Sequence, residues 1–190
     1  MTQAPYPKFT PPTGACDCHV HVYGPSSRFP FVVSHRDRAP DGPFPALETM
    51  HKSISVERCV IVHPPGHGTD LAVTIDAMDS GDREYRAVAL VEPSISDERL
   101  EELNDLGFRG VRYSPTLDGC ALDKPAVLEM AGRIAPLGWH MLLHFKDNAI
   151  IDYADLLEAL PIPSILDHFG SVDPATSRTD QDSFRVIADH

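Results

Sequence analysis

The chain has 190 residues, 42% hydrophobic and 23% charged, with a formal net charge of -12. That length suits one domain with a packed core. The acidic balance argues against a general nucleic-acid binder, which needs a basic face, and no stretch approaches the roughly 18 apolar residues of a membrane span.

Residues 1–13 read as an N-terminal extension and 14–190 as one domain. Met1 to Pro12 is polar and Pro-rich, without the apolar run of a signal peptide. The four cysteines, Cys16, Cys18, Cys59 and Cys120, form no CxxC pair. Reduced thiols in a cytoplasmic protein are the expectation.

Short apolar runs alternate with helical stretches along the whole chain. Ala15 to Val22 reads as a strand, followed by a Pro-rich loop from Gly24 to Pro45 and a helix near Ala46 to Ser53. Arg58 to His63 is a second strand with β-branched residues at its centre. Asp70 to Ser80 is a helix, with Thr69 or Asp70 as its cap. Arg86 to Glu92 is a third strand, ended by Pro93. Ser96, followed by Asp97 and Glu98, starts a helix that ends near Gly107. Phe108 to Ser114 is a fourth strand. Lys124 to Leu137 is a helix closed by Gly138. His140 to Phe145 is a fifth strand, Ile151 to Leu160 a helix stopped by Pro161, and Pro163 to His168 a sixth strand. Ser183 onward begins a further helix.

This alternation implies βαβ units and a parallel sheet. The expected fold class is α/β, an incomplete TIM-type (β/α)8 barrel with about six of its eight βα units, because a complete barrel needs roughly 250 residues. On this reading the chain is the first two-thirds of a longer protein. A complete six-strand open sheet is the alternative.

Asp17, His19 and His21 alternate on the first strand, and a period of two puts all three on one face. A lone histidine is most often a hydrogen-bonded core residue. Two at i and i+2 at the end of an early strand point instead to a site, since barrel active sites lie at the C-terminal mouth. His144 ends the fifth strand and His168 the sixth, so three strands deliver histidine to the same rim. Neutral imidazole suits a metal; protonated imidazole suits an anion. On the fourth strand, Gly110, Arg112 and Ser114 share a face. Arg112 is either a cation in the barrel mouth, whose planar fork suits a carboxylate, or half of a helix-layer salt bridge. Arg109 has a structural role. The loop after the second strand, His63 to Asp70, is turn-rich, and its His67 could face a substrate. No phosphate loop, nucleophile elbow or dinucleotide fingerprint is present.

The run Cys18-His19-Val20-His21-Val22-Tyr23-Gly24-Pro25 resembles the start of the amidohydrolase superfamily. "ERCVIVHPPGHGTD", "GFRGVRYS", "LGWHMLLHF" and "ILDHFG" follow in the expected order, over essentially all of residues 14–170. The closer resemblance is to the family 2 branch that includes 2-pyrone-4,6-dicarboxylate lactonases and related lactone hydrolases. It implies a barrel with His19, His21 and His168 in the active site, and Arg112 fits the family's carboxylate-holding role; His144, His67 and Ser114 are, from their positions on the strands and loop, the further expected substrate contacts. It also implies a water-activating carboxylate on an eighth strand, which this sequence does not reach, so the 190-residue chain alone is expected to be inactive. The superfamily often bridges two metals with a Lys or Glu on the fourth strand; Arg112 offers no such bridge. Two departures stand out. His35 to Pro40 lacks the usual Tyr, and His63 replaces a usual Gln.

The resulting expectation is a metal-independent hydrolase of a small carboxylated lactone, with no cofactor, acting by water attack on the ring carbonyl. The partner is a small anionic substrate, with no nucleic acid and no membrane. One alternative is an amidohydrolase or decarboxylase binding one zinc or other divalent metal through His19, His21 and His168. Another is a truncated, non-catalytic barrel fragment. A metallophosphoesterase would need more acidic ligands than the sequence offers.

Overall fold

The computed structural model describes residues 9–32, 40–80, 85–114, 123–172 and 182–190. The first eight residues of the expected extension, the centre of the long loop with His35 and Arg36, and Cys120 lie outside the described residues. Among the described residues, six strands and six α-helices alternate: β1 (Cys16–Val20), α1 (Phe44–Ser53), β2 (Arg58–Val62), α2 (Ala72–Asp79), β3 (Arg86–Ala89), α3 (Asp97–Asp105), β4 (Phe108–Tyr113), α4 (Lys124–Ile134), β5 (His140–Leu143), α5 (Ala154–Ala159), β6 (Ser164–Leu166) and α6 (Asp182–Asp189). The strands follow one another in the order β1-β2-β3-β4-β5-β6 in one sheet. The pairs β1–β2, β4–β5 and β5–β6 are parallel. A doubly wound sheet starts in its middle and reverses direction; a (β/α) barrel adds each strand beside the last. The observed order is the barrel's, with six of eight βα units.

Every expected strand is present, but most are shorter than their apolar runs. β3 stops at Ala89 and β6 at Leu166. The expected helix from Ile151 begins as a 3-10 segment, Asp147–Tyr153, and becomes α-helical only over Ala154–Ala159. Among the described residues, no helix is long and apolar enough to cross a membrane. Cys16, Cys18 and Cys59 form no disulfide among the described residues.

The chain divides into two compact units, Met1–Ala87 and Val88–His190, with the boundary inside β3. In the first unit, Cys59, Ile61 and Val62 of β2 are buried with Val73 and Ala77 of α2. Phe44 at the start of α1 meets Tyr85 edge-on, with centroids 5.5 Å apart. Asp70 Oδ1 accepts from the Ala72 N–H and supports the first turn of α2.

The second unit shows why its strands are buried on both faces, as parallel strands are. Val111 and Tyr113 of β4 pair in register with Met141 and Leu143 of β5, and all four are buried. Leu100 and Leu103 of α3 and Val127, Met130 and Ile134 of α4 are buried as well. Each such side chain contributes about 1.5–3 kcal/mol when removed from water. Ser96 Oγ accepts from Arg99 N–H and caps α3; Asp123 Oδ1 accepts from Ala126 N–H and caps α4. Pro125 sits in the first turn of α4, where a missing N–H costs nothing. Gly138, at φ 67°, takes the left-handed position that ends the helical run. Arg133 ties α4 to the start of α3 and the loop before it, donating to Asp97 Oδ1 at 2.8 Å and Pro93 O at 3.0 Å, and to Ile95 O. Arg109 donates to Asn104 O at 2.7 Å, and the Trp139 indole N–H donates to Asn104 Oδ1 at 3.0 Å. The structural role expected for Arg109 is thus observed.

Candidate active site

In the first unit, β1 carries the His-x-His pair. The register pairs Asp17 with Cys59 but Val20 with Ile61, so β1 holds one residue more than β2 across this interval. Such a bulge shifts the alternation by one. Cys59 and Ile61 share a face of β2, so Asp17 falls on the same face as Val20, opposite His19 and His21. The expected grouping of Asp17 with the two histidines is therefore corrected. Asp17 Oδ2 instead lies 3.2 Å from Nε2 of the buried His51 on α1.

His19 and His21 do come together, their rings edge-to-face with centroids 5.1 Å apart. His21 Nδ1 lies 2.7 Å from Val62 O. A carbonyl only accepts, so Nδ1 carries the proton and a neutral His21 keeps its lone pair on Nε2.

The remaining histidines of this unit serve its own backbone. His67 is buried; its Nε2 accepts from Gly24 N–H at 3.2 Å and its Nδ1 donates to Pro30 O at 3.1 Å. Phe31 packs on its ring at 4.7 Å. Expected to face a substrate, His67 instead joins the loop after β1 to the turn Pro65–His67, with both nitrogens committed. His63 is fully buried. Its Nε2 donates to Gly68 O at 3.0 Å, which leaves Nδ1 to accept from the Thr74 hydroxyl at 2.8 Å. Burial lowers its pKa to about 4, with the neighbouring His67 adding to the effect and the hydrogen bond to Gly68 opposing it. His63 faces α2 because it has the parity of Ile61.

In the second unit, the sheet register assembles a cluster. Arg112 pairs with Leu142, and Leu142 with Ile165. Two residues further along each chain, on the same face, stand Ser114, His144 and Asp167. Arg112 is 8% exposed and Asp167 is 3% exposed. Arg112 Nη2 lies 2.7 Å from Asp167 Oδ2, a buried ion pair, and also donates to His144 Nδ1 at 3.4 Å. The buried Arg112 Nε has no partner among the described residues. Ser114 Oγ donates to His144 O at 2.8 Å, so it fixes the chain after β5. Gly110 supplies clearance lower on this face: a Cβ there would stand 2.7 Å from the ring of His140. Burial lowers the His140 pKa.

His168 has the opposite parity to Asp167, and alternation alone would turn it away. A left-handed turn follows β6, with φ of 51° at His168, 54° at Phe169, 65° at Gly170 and 54° at Ser171. This conformation costs a non-glycine residue roughly 1–2 kcal/mol. It swings the His168 ring edge-on to His144, with centroids 5.1 Å apart. Two consecutive residues therefore serve one cluster. Sequence reasoning missed Asp167. Strand parity with Arg112 and His144 was the signal that could have found it.

The six residues 112, 114, 144, 167, 21 and 168 all lie at or just past the C-terminal ends of their strands. This is the end where barrel enzymes place their chemistry. Comparison with known proteins gives the family. Residues 16–190 match the amidohydrolase family model. The chain belongs to the amidohydrolase family. It is 34% identical over 189 residues to a 4-sulfomuconolactone hydrolase of Hydrogenophaga intermedia, covering 96% of this chain and 60% of that protein. It is 36% identical over 184 residues to a 2-pyrone-4,6-dicarboxylate hydrolase of Comamonas testosteroni, covering 95% and 59%. The chain thus spans about three-fifths of the length of these curated relatives. The apo crystal structure of an Agrobacterium tumefaciens protein superposes with a TM-score of 0.81 at 21% identity, covering 96% of this chain and 67% of that one, and shares the fold.

Proposed function

We propose that this amidohydrolase chain serves the hydrolysis of a small anionic lactone. The observation that carries the reading is the buried Arg112 in the second unit, whose partnerless Nε–H sits in a cluster with His144, Asp167 and His168 at strand ends. A buried donor without a partner costs about 1–3 kcal/mol, which an arriving carboxylate oxygen would recover. The names of the relatives support the reading, since both act on anionic lactones by name.

In the reaction, water adds to the lactone carbonyl carbon and the ring C–O bond breaks. The ring oxygen leaves with a proton, and the new carboxylic acid loses one. Hydrogen-bond donors aimed at the developing oxyanion supply much of the rate. The second unit offers His168 for that role and Arg112, with His144 near it, for a substrate carboxylate. Asp167 is committed to Arg112 and is not assigned as general base. His67 and Ser114 each act on the backbone of their own unit.

Some amidohydrolases hold a metal. Among the described residues, no three His, Cys, Asp or Glu side chains are gathered as a ligand set. No step is routed through a metal, and the proposed reading is of a reaction without a cofactor.

Titration calorimetry with 2-pyrone-4,6-dicarboxylate tests the proposal. Saturable binding is expected, weakened by about tenfold or more in Arg112→Ala, the scale of one charge-assisted contact. Equal binding by the parent and Arg112→Ala would sink it.

A further inference from the structure

Among the described residues, Asp167 is the buried charge that the proposed chemistry does not use. Its place beside Arg112 has a cost for the site, because it cancels the charge that would otherwise draw an anion in. A cation whose only task was to attract anions would be left uncompensated. Here the guanidinium is held by Nη2 on Asp167 Oδ2 at 2.7 Å, while Nε–H stays buried and partnerless. The pair as a whole is neutral. It offers an anion a directed hydrogen-bond donor with no net positive charge, and the Asp167 carboxylate stands against the same guanidinium.

Such a site treats anions unequally. A carboxylate or sulfonate carries one charge, gains the hydrogen bond and meets a single repulsion from Asp167. A phosphate dianion costs more to desolvate and is repelled twice as strongly at the same distance, since Coulomb energy scales with the product of the charges. Selectivity by placing a like charge against the wrong ligand is a general device. We infer that Asp167 is a specificity-determining residue that makes the Arg112 site accept singly charged anionic groups and reject phosphate dianions.

This inference rests on the lactone reading for the identity of the accepted ligand, but its test does not. Titrate the parent chain, Asp167→Asn and Asp167→Glu with 2-pyrone-4,6-dicarboxylate and, separately, with inorganic phosphate at pH 8, where phosphate is a dianion. The parent is expected to prefer the dicarboxylate. Asp167→Asn should bind phosphate about tenfold or more tightly than the parent does, and Asp167→Glu should keep the parent's preference. Unchanged phosphate affinity in Asp167→Asn overturns the inference, as does equal weakening of both ligands. If Asp167→Asn unfolds by itself, phosphate must raise its melting temperature more than it raises the parent's; failure of that rescue overturns the inference as well. A parent chain that ignores the dicarboxylate defeats the lactone reading alone, because the phosphate comparison still decides the role of Asp167.

Discussion

The two units use polar side chains in opposite ways. In the first, His51, His63 and His67 are buried, and each is bonded within the unit: His51 to Asp17, His63 to Thr74 and Gly68, His67 to Gly24 and Pro30. They are connectors between loops, helices and strands. In the second, Arg112 and Asp167 are equally buried, yet they form an ion pair that leaves a guanidinium donor unmet among the described residues, with the His144 imidazole against it and His168 against His144. A buried histidine hydrogen-bonded within its own unit stabilises a fold. A buried charge pair seldom adds much stability, and holding one at strand ends points to recognition. Richness in histidine is therefore a poorer guide to function than the balance of charge and unmet hydrogen bonds.

The sharpest way to break this contrast is to break the pair. Arg112→Met leaves Asp167 buried without compensation and should cost about 3–5 kcal/mol in urea unfolding. The double change Arg112→Met with Asp167→Leu should recover most of that loss while abolishing anion binding. If the double variant is as unstable as the single one, the pair is not the cause.

The histidines of the first unit make a different prediction, in pH. The folded pKa of His63 is about 4, below its ordinary 6.5. Between those values the unfolded chain binds the proton and the folded chain does not. Stability from neutral His63 is therefore complete above pH 6.5 and lost as pH falls toward 4, by up to about 3 kcal/mol. His63→Gln, which can still donate to Gly68 O and accept from Thr74, should show a smaller loss across that window. Equal pH slopes in the two proteins would assign the acid sensitivity elsewhere.

Smaller effects test the scaffold under the second cluster. Gly110→Ala drives a methyl into His140 and should cost about 1–3 kcal/mol, read as a lower melting temperature. Ser96→Ala removes the cap of α3 and should cost about 1 kcal/mol without changing ligand affinity, since it acts on a surface helix end.

Much of the architecture was legible in the sequence because strand and helix periods differ and caps are local. Ser96 before Asp97 and Glu98, and Gly138 after a helical run, mark their boundaries through the backbone groups they satisfy. The strand-end placement of His144, His168 and Arg112 was legible for the same reason. The orientation of single side chains was less so. Period two put Asp17 with His19, and the bulge in β1 moved it. The same rule, carried two residues past Ile165, would have found Asp167. It would have turned His168 away, because nothing in the residue types of His168 and Phe169 announces a left-handed turn.

The sequence by itself determined the element order, the parallel βα pattern, the caps and the family, because each rests on local spacing or on an ordered set of short motifs. The partners of each buried polar group were decided only by the tertiary structure. Whether His67 meets a ligand or a backbone carbonyl, and whether Arg112 stands alone or beside Asp167, depends on sheet register, a bulge and a left-handed turn. Those bring together residues that lie 37 and 55 positions apart in the chain.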